Sequence, residues 1–158
     1  MSEARELIHG TCVALGSHAA LIRGPSGSGK SDLALSFLAL AAEPGLEPLL
    51  VADDQVWIER QKDGGLAASA PPSLAGKIEV RGLGIVEVSH RGAARLALAV
   101  DLVLPQEVPR MPPDPFDRIT LLGVAIPVVK LAPFELSAAL KLRLALLSVV
   151  SQSPHQQA

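Results

Sequence analysis

The stretch "IRGPSGSGKSDLAL", Ile22 to Leu35, decides how the chain is read. Within it, Gly24-Pro25-Ser26-Gly27-Ser28-Gly29-Lys30-Ser31 fits G-x-x-x-x-G-K-[ST] at every fixed position. Glycines let the backbone wrap an anion with its N–H groups turned inward. A helix starting at the end of the loop presents its positive pole to the same anion. Lys30 is placed to reach the outer phosphates of a nucleotide, and the Ser31 hydroxyl can ligate Mg²⁺. The flanks suit the motif. Ala19–Arg23 is a β-like run, and the Ala- and Leu-rich segment Ser31–Ala42 predicts a helix closed by Pro44 and Gly45. All eight loop residues are therefore candidate nucleotide-binding positions, with ATP and Mg²⁺ as the expected cofactors.

The chain has 158 residues, which predicts a single domain over 1–158 with a frayed tail at 153–158. A formal charge of −2, no Tyr and only 3% aromatic residues argue against a nucleic-acid surface. The single cysteine, Cys12 in "GTCVAL", reads as a small apolar strand residue rather than a nucleophile, and fits a reducing compartment. The first residues hold no apolar core of signal-peptide length. The most apolar stretch, "LAPFELSAALKLRLALLSVV", is broken by Glu135, Lys141 and Arg143, and reads as a packed helix at a subunit interface rather than a membrane span. A cytoplasmic protein with no membrane partner is expected.

Outward from the loop, Thr11–Leu15 and Ala19–Arg23 predict strands joined at Gly16–Ser17. "PLLVADD" (Pro48–Asp54) predicts a central strand ending in acids, with "QVWIER" continuing extended and Lys62–Gly65 turning. "KIEVRGLGIVEVSHRG" predicts a strand with a bulge at Gly82 and Gly84. "ARLALAVDLVLP" and "IPVVKL" predict two more strands. The five prolines of "PQEVPRMPPDPFDR" predict an irregular loop, and Pro133 an opening for the last helix. The fold class is α/β, with a mixed central sheet, many antiparallel strands and few helices.

Phosphoryl chemistry also needs carboxylates near the metal. Asp53-Asp54 ends an apolar run, where α/β sheets present their sites. Adjacent strand residues point to opposite faces, so one can steer the metal while the other takes a proton. Asp101, in "LALAVDLVL", is a second candidate, or a strand-edge acid facing solvent.

"IHG", "GPSGSGKSDLAL", "LVADDQVWI", "IEVRGLGIVEV" and "FDR" occur in an order and spacing that resembles the catalytic domain of bacterial HPr kinase/phosphorylase, over roughly residues 8 to 135. The resemblance implies a P-loop core like that of phosphoenolpyruvate carboxykinase, and ATP-dependent phosphorylation of a serine on HPr, the phosphocarrier of the sugar phosphotransferase system, or on a paralogous phosphocarrier. It implies a hexameric homo-oligomer. Carried over by position, it implies catalytic roles for His9, Lys30, Asp54 and Arg118, and metal-site roles for Ser31, Glu79 and Asp53, with Arg81 following Glu79 in the signature. Three departures stand out. The N-terminal domain usual in the family is not expected, because the chain begins just before "HG". Asp32 stands where the family has Glu. A C-terminal "P-V-R-P-G-R-N" tied to dephosphorylation is replaced by "PVVKLAPFE", which keeps only Lys130 as a cation, so the phosphorylase half of the activity is not expected. The competing classes on the same loop are a small-molecule kinase or nucleotide hydrolase and a nucleotide-sensing regulator. Generic nucleoside kinases lack "IEVRGLGI" with "FDR", and a sensor has no need of a base at Asp54.

Overall fold

A computed structural model describes residues 4–151; the predicted tail at 153–158 and His155 lie outside them. In chain order the elements are β1 (Arg5–His9), β2 (Thr11–Leu15), β3 (His18–Arg23), α1 (Lys30–Leu38), β4 (Pro48–Ala52), β5 (Gln55–Arg60), β6 (Leu66–Ser69), β7 (Lys77–Val80), β8 (Gly84–Glu87), β9 (Ala93–Leu102), β10 (Arg118–Leu121), β11 (Val124–Leu131) and α2 (Ala138–Ser151).

All five residues of β2 are buried, so this strand has an apolar layer on both faces. Its alternate residues divide between those layers. Val13 and Leu15 join Ile22, Phe37, Leu98 and Leu142 beneath the two helices. Cys12 and Ala14 join Leu21, Val56, Ile58 and Leu66, where the far part of the same sheet curls over the opposite face. The main sheet runs β1-β5-β6-β9-β3-β2-β4. β9 pairs in parallel with β3 along one edge; on its other edge β6 pairs antiparallel with its first residues and β11 parallel with its last. β11 in turn passes from β10 to β9 at Pro127–Val128. A Pro fits that switch because the ladder needs no donor there.

This is the mixed α/β sheet with two helices that the residues predict, with local corrections. The helix α1 ends at Leu38 rather than Ala42: the Leu40 N–H bonds back to Phe37 O at 3.1 Å, and Pro44 disfavours helical backbone at Glu43. "KIEVRGLGIVEV" is a two-strand hairpin, β7–β8, rather than one bulged strand, with Gly82 and Gly84 at φ 92° and 91° in and beside its turn. Pro133 does not open α2. The chain first turns over residues 132–137, and Pro133 and Phe134 pack against the phosphate loop. Strand β10 arises inside the expected irregular region, at Arg118. Among the described residues no helix is long and apolar enough to cross a membrane.

Cys12 is fully buried between Leu21 and Ala52 on the neighbouring strands, and burial pushes its thiol far above the ordinary range. Its reaction with an aromatic disulfide reagent should be at least about a hundredfold slower in the native protein than in denaturant, since it requires opening of the core. Comparable rates in the two states would contradict this packing.

Candidate functional site

The phosphate loop springs from the end of β3, an interior strand of the sheet. Arg23, the last residue of β3, forms a two-pronged ion pair with Asp101 on β9, Nε–Oδ1 2.7 Å and Nη2–Oδ2 2.9 Å. That fork employs the second candidate carboxylate, so Asp101 serves the strand below the loop. In the loop, Gly27 and Gly29 take φ 81° and 100°, the left-handed backbone that turns successive N–H groups into an anion nest. Gly29 is the N-cap of α1 and has no side-chain cap. The Lys30 ammonium is held over the loop by Gly24 O at 2.7 Å and Pro25 O at 3.0 Å. Ser28 Oγ is buried against Gly24, with no hydrogen-bond partner among the described residues, and does not line the cavity.

The acidic pair lies beyond the end of β4, in the turn into β5. Gln55 N bonds Asp53 O, Gly10 N bonds Asp54 O, and Asp54 takes φ 72°. The pair is divided by this turn rather than by strand alternation. Asp53 points inward, 8% exposed. Its Oδ1 accepts the Thr11 hydroxyl at 3.0 Å and the Ser31 hydroxyl at 2.8 Å, and its Oδ2 accepts the Glu79 N–H at 3.1 Å. Asp54 points outward, its side chain 69% exposed and 3.4 Å from His9 Nδ1. His9 arrives there because β1 pairs with β5, His9 opposite Gln55.

Loop, acidic turn and the β7–β8 hairpin enclose one open cavity of about 580 Å³. Lys30, Ser31, Asp53, Asp54, His9 and Glu79 all line it, as do Ser26, Gly27 and Gly29 of the loop. Arg118 is not brought there. It begins β10, bonds Ala125 O, and lines a separate cavity of about 350 Å³ with His18, Arg95 and Phe116. His18 in that second cavity is held below its ordinary pKa, first by burial and then by Arg95 and Arg91. The guanidinium in the first cavity belongs to Arg81, in the hairpin turn. Lys130 is exposed on β11, in register with Asp101, and does not line the first cavity.

Among the residues lining this site, Thr11 and Phe134 were not singled out as candidates from sequence, and Arg81 was named only through the family signature. A hydroxyl within the apolar strand "TCVAL" was the available signal for Thr11, because a buried hydroxyl needs a partner. The oxygen donors Ser31, Asp53 and Glu79 suit a hard cation. No group of three or more His, Cys, Asp or Glu gathers as a metal cage among the described residues.

The family model for the HPr serine kinase C-terminal domain matches residues 2–131. The HPr kinase/phosphorylase of Lacticaseibacillus casei (strain BL23) is 34% identical over 136 residues, 80% of this chain and 40% of that protein. That of Geobacillus sp. (strain WCH70) is 34% identical over 133 residues, 82% of this chain and 40% of that protein. The chain thus spans about 40% of the length of these relatives. Among solved structures, the HPr(Ser) kinase/phosphatase from Coxiella burnetii superposes with a TM-score of 0.76 at 21% identity, over 96% of this chain and 95% of that one. That likeness establishes the fold.

A Cβ on Gly29 would lie 2.9 Å from Pro133 Cβ and 3.0 Å from Phe134 Cζ, whereas one on Gly27 would meet nothing within 4 Å. Both glycines have positive φ, so Gly27→Ala should cost about 1 kcal/mol of stability for backbone alone, and Gly29→Ala about 1–3 kcal/mol more as the 133–134 segment is pushed off. Equal losses in urea unfolding would show that this segment does not rest on the loop.

Proposed function

This chain belongs to the HPr serine kinase C-terminal domain family, and on that premise we propose that it is an ATP-dependent kinase acting on a serine of HPr or a paralogous phosphocarrier. The observation that supports this most is the meeting of the phosphate loop, the exposed Asp54 and the "EVRGLGI" hairpin around one cavity. A nucleotide sensor needs the first of these; phosphoryl transfer to a hydroxyl also needs a base, and the hairpin is the part that generic nucleoside kinases lack.

The division of labour follows from the geometry. The loop N–H groups and Lys30 hold the outer phosphates. The Asp54 carboxylate, kept exposed by its turn, accepts the proton of the attacking serine hydroxyl, and His9 beside it orients that carboxylate. The serine oxygen forms its bond to the γ-phosphorus as the bond to the leaving ADP oxygen breaks. Lys30 and Arg81 face the charge that spreads over the transferring oxygens. Mg²⁺, when bound, would supply further positive charge to the transfer; Ser31 and Glu79 would hold it, with Asp53 fixing the Ser31 hydroxyl and keeping one Oδ2 lone pair of its own. In this reading Arg81 takes the place in transfer that the family resemblance assigns to Arg118. The exposed leucines Leu140 and Leu144 on α2, with Leu136 in the turn before it, support a homo-oligomer, and a phosphocarrier substrate implies work in the cytoplasm.

The test is to incubate the protein with labelled ATP, Mg²⁺ and HPr. Label should appear on serine. Lys30→Ala should lose on the order of a thousandfold in rate together with ATP affinity. Asp54→Asn should still bind Mg-ATP and lose roughly a hundredfold or more in turnover. Given serine-phosphorylated HPr, inorganic phosphate and Mg²⁺, the enzyme should release pyrophosphate far more slowly than it phosphorylates, because the segment after β11 brings Phe134 rather than a cation to the cavity. Unlabelled phosphocarriers, or an Asp54→Asn protein as active as wild type, would contradict the proposal.

A further inference from the structure

We propose that Phe134 is the platform on which the base of the bound nucleotide stacks. The inference rests on the nucleotide-binding part of the proposed function and adds how the far end of that ligand is held.

The cavity is lined almost throughout by charged, hydroxyl and glycine residues, as an anion requires. Val80 and Phe134 are the exceptions, and among the described residues Phe134 is the one hydrocarbon ring on its wall. The chain spends aromatic residues sparingly, with three Phe, one Trp and no Tyr. Phe37 is wholly buried, Trp57 lies under the Arg5 guanidinium at 3.8 Å, and Phe116 is half-buried beside the second cavity. Phe134 alone among them is open to solvent, 73% exposed. It is nevertheless anchored. Pro133 and the tip of the Phe134 ring rest on Gly29, in the space its missing Cβ leaves.

A ring fixed at its tip against a phosphate nest, with most of its surface free, suits a ligand that is anionic at one end and flat and apolar at the other. A nucleoside triphosphate is such a ligand. With its outer phosphates in the loop, its base remains tethered within reach of the loop's rim, where stacking removes two apolar faces from water. Stacking reads no hydrogen-bonding edge, so this contact holds adenine and guanine alike. Leu136 and Leu140 are also exposed nearby in sequence, so contact with a second copy of the chain is the competing use of the ring, and the experiment separates the two.

Binding to the full chain is measured by calorimetry in Mg²⁺ with ATP, GTP and inorganic tripolyphosphate, alongside sedimentation. Phe134→Ala should weaken ATP and GTP by about tenfold or more, with tripolyphosphate unchanged within about twofold and the molecular mass unaltered. Phe134→Trp should keep ATP affinity, and its added indole emission should respond to ATP and not to tripolyphosphate. Wild-type ATP affinity in Phe134→Ala would overturn the inference. So would an equal loss for tripolyphosphate, which would make the ring a support for the loop, or a loss of affinity accompanied by a fall in mass. If wild type binds tripolyphosphate no tighter than it binds sulfate and does not bind ATP, the proposed function fails, and the stacking with it.

Discussion

The Asp53 carboxylate is the point through which three distant parts of the chain become one site. It accepts hydrogen bonds from Thr11 on β2, Ser31 on α1 and the Glu79 backbone on β7. A carboxylate 8% exposed would be strongly unfavourable without partners. Each bond to an ionised acceptor contributes on the order of 1.5–3 kcal/mol, and each leaves a donor unsatisfied if the acceptor is lost. The consequence is positional. The serine of the phosphate loop, the edge of the hairpin and the acidic turn share one anchor. Asp54 is swung outward because Asp53 must point inward, and the left-handed backbone at Asp54 is the local cost of that division.

Around this anchor the sheet supplies rigidity. The parallel pair β3–β9 carries the loop, and the Arg23–Asp101 fork ties the two strand ends at the level where the loop begins. With both side chains one-third exposed, the fork adds little to overall stability. Its bidentate geometry instead fixes the direction in which the chain leaves the sheet. On the other side, residues 132–137 return from β11 to cover Gly29. The same connection that joins the last strand to α2 therefore also shapes one wall of the cavity.

How much of this was legible in the sequence depended on whether the signal was local. The loop, β2, β3 and β9 were readable because their apolar runs and glycines satisfy local rules, and the family resemblance agreed with them. β1 was not readable: "RELIH" is an exposed edge strand whose existence depends on pairing with β5. Gly82 and Gly84 signalled unusual backbone, yet a bulge and a hairpin turn demand the same positive φ, and pairing across the turn chose the hairpin. Asp53 and Asp54 were recognised as a divided pair, but the division comes from a turn that only the bonds from Gly10 and Gln55 define. Arg118 and Arg81 were distinguishable only in three dimensions, because the path of β10 and β11 takes Arg118 to another cavity. Pro133 resembled a helix opening and instead belongs to the segment packed on Gly29.

The central claim, that one carboxylate organises the site, is tested most directly by amide hydrogen exchange along the chain in wild type and Asp53→Asn. Asparagine keeps the shape and an acceptor for Thr11 or Ser31, but it loses the charge and can set an N–H₂ against the Glu79 N–H. The account predicts that the Glu79 amide and the tip of the β7–β8 hairpin exchange about tenfold faster or more, while β3 and β9 stay as protected as in wild type. Unchanged exchange at Glu79, or a uniform loss of protection through the whole sheet, would contradict it.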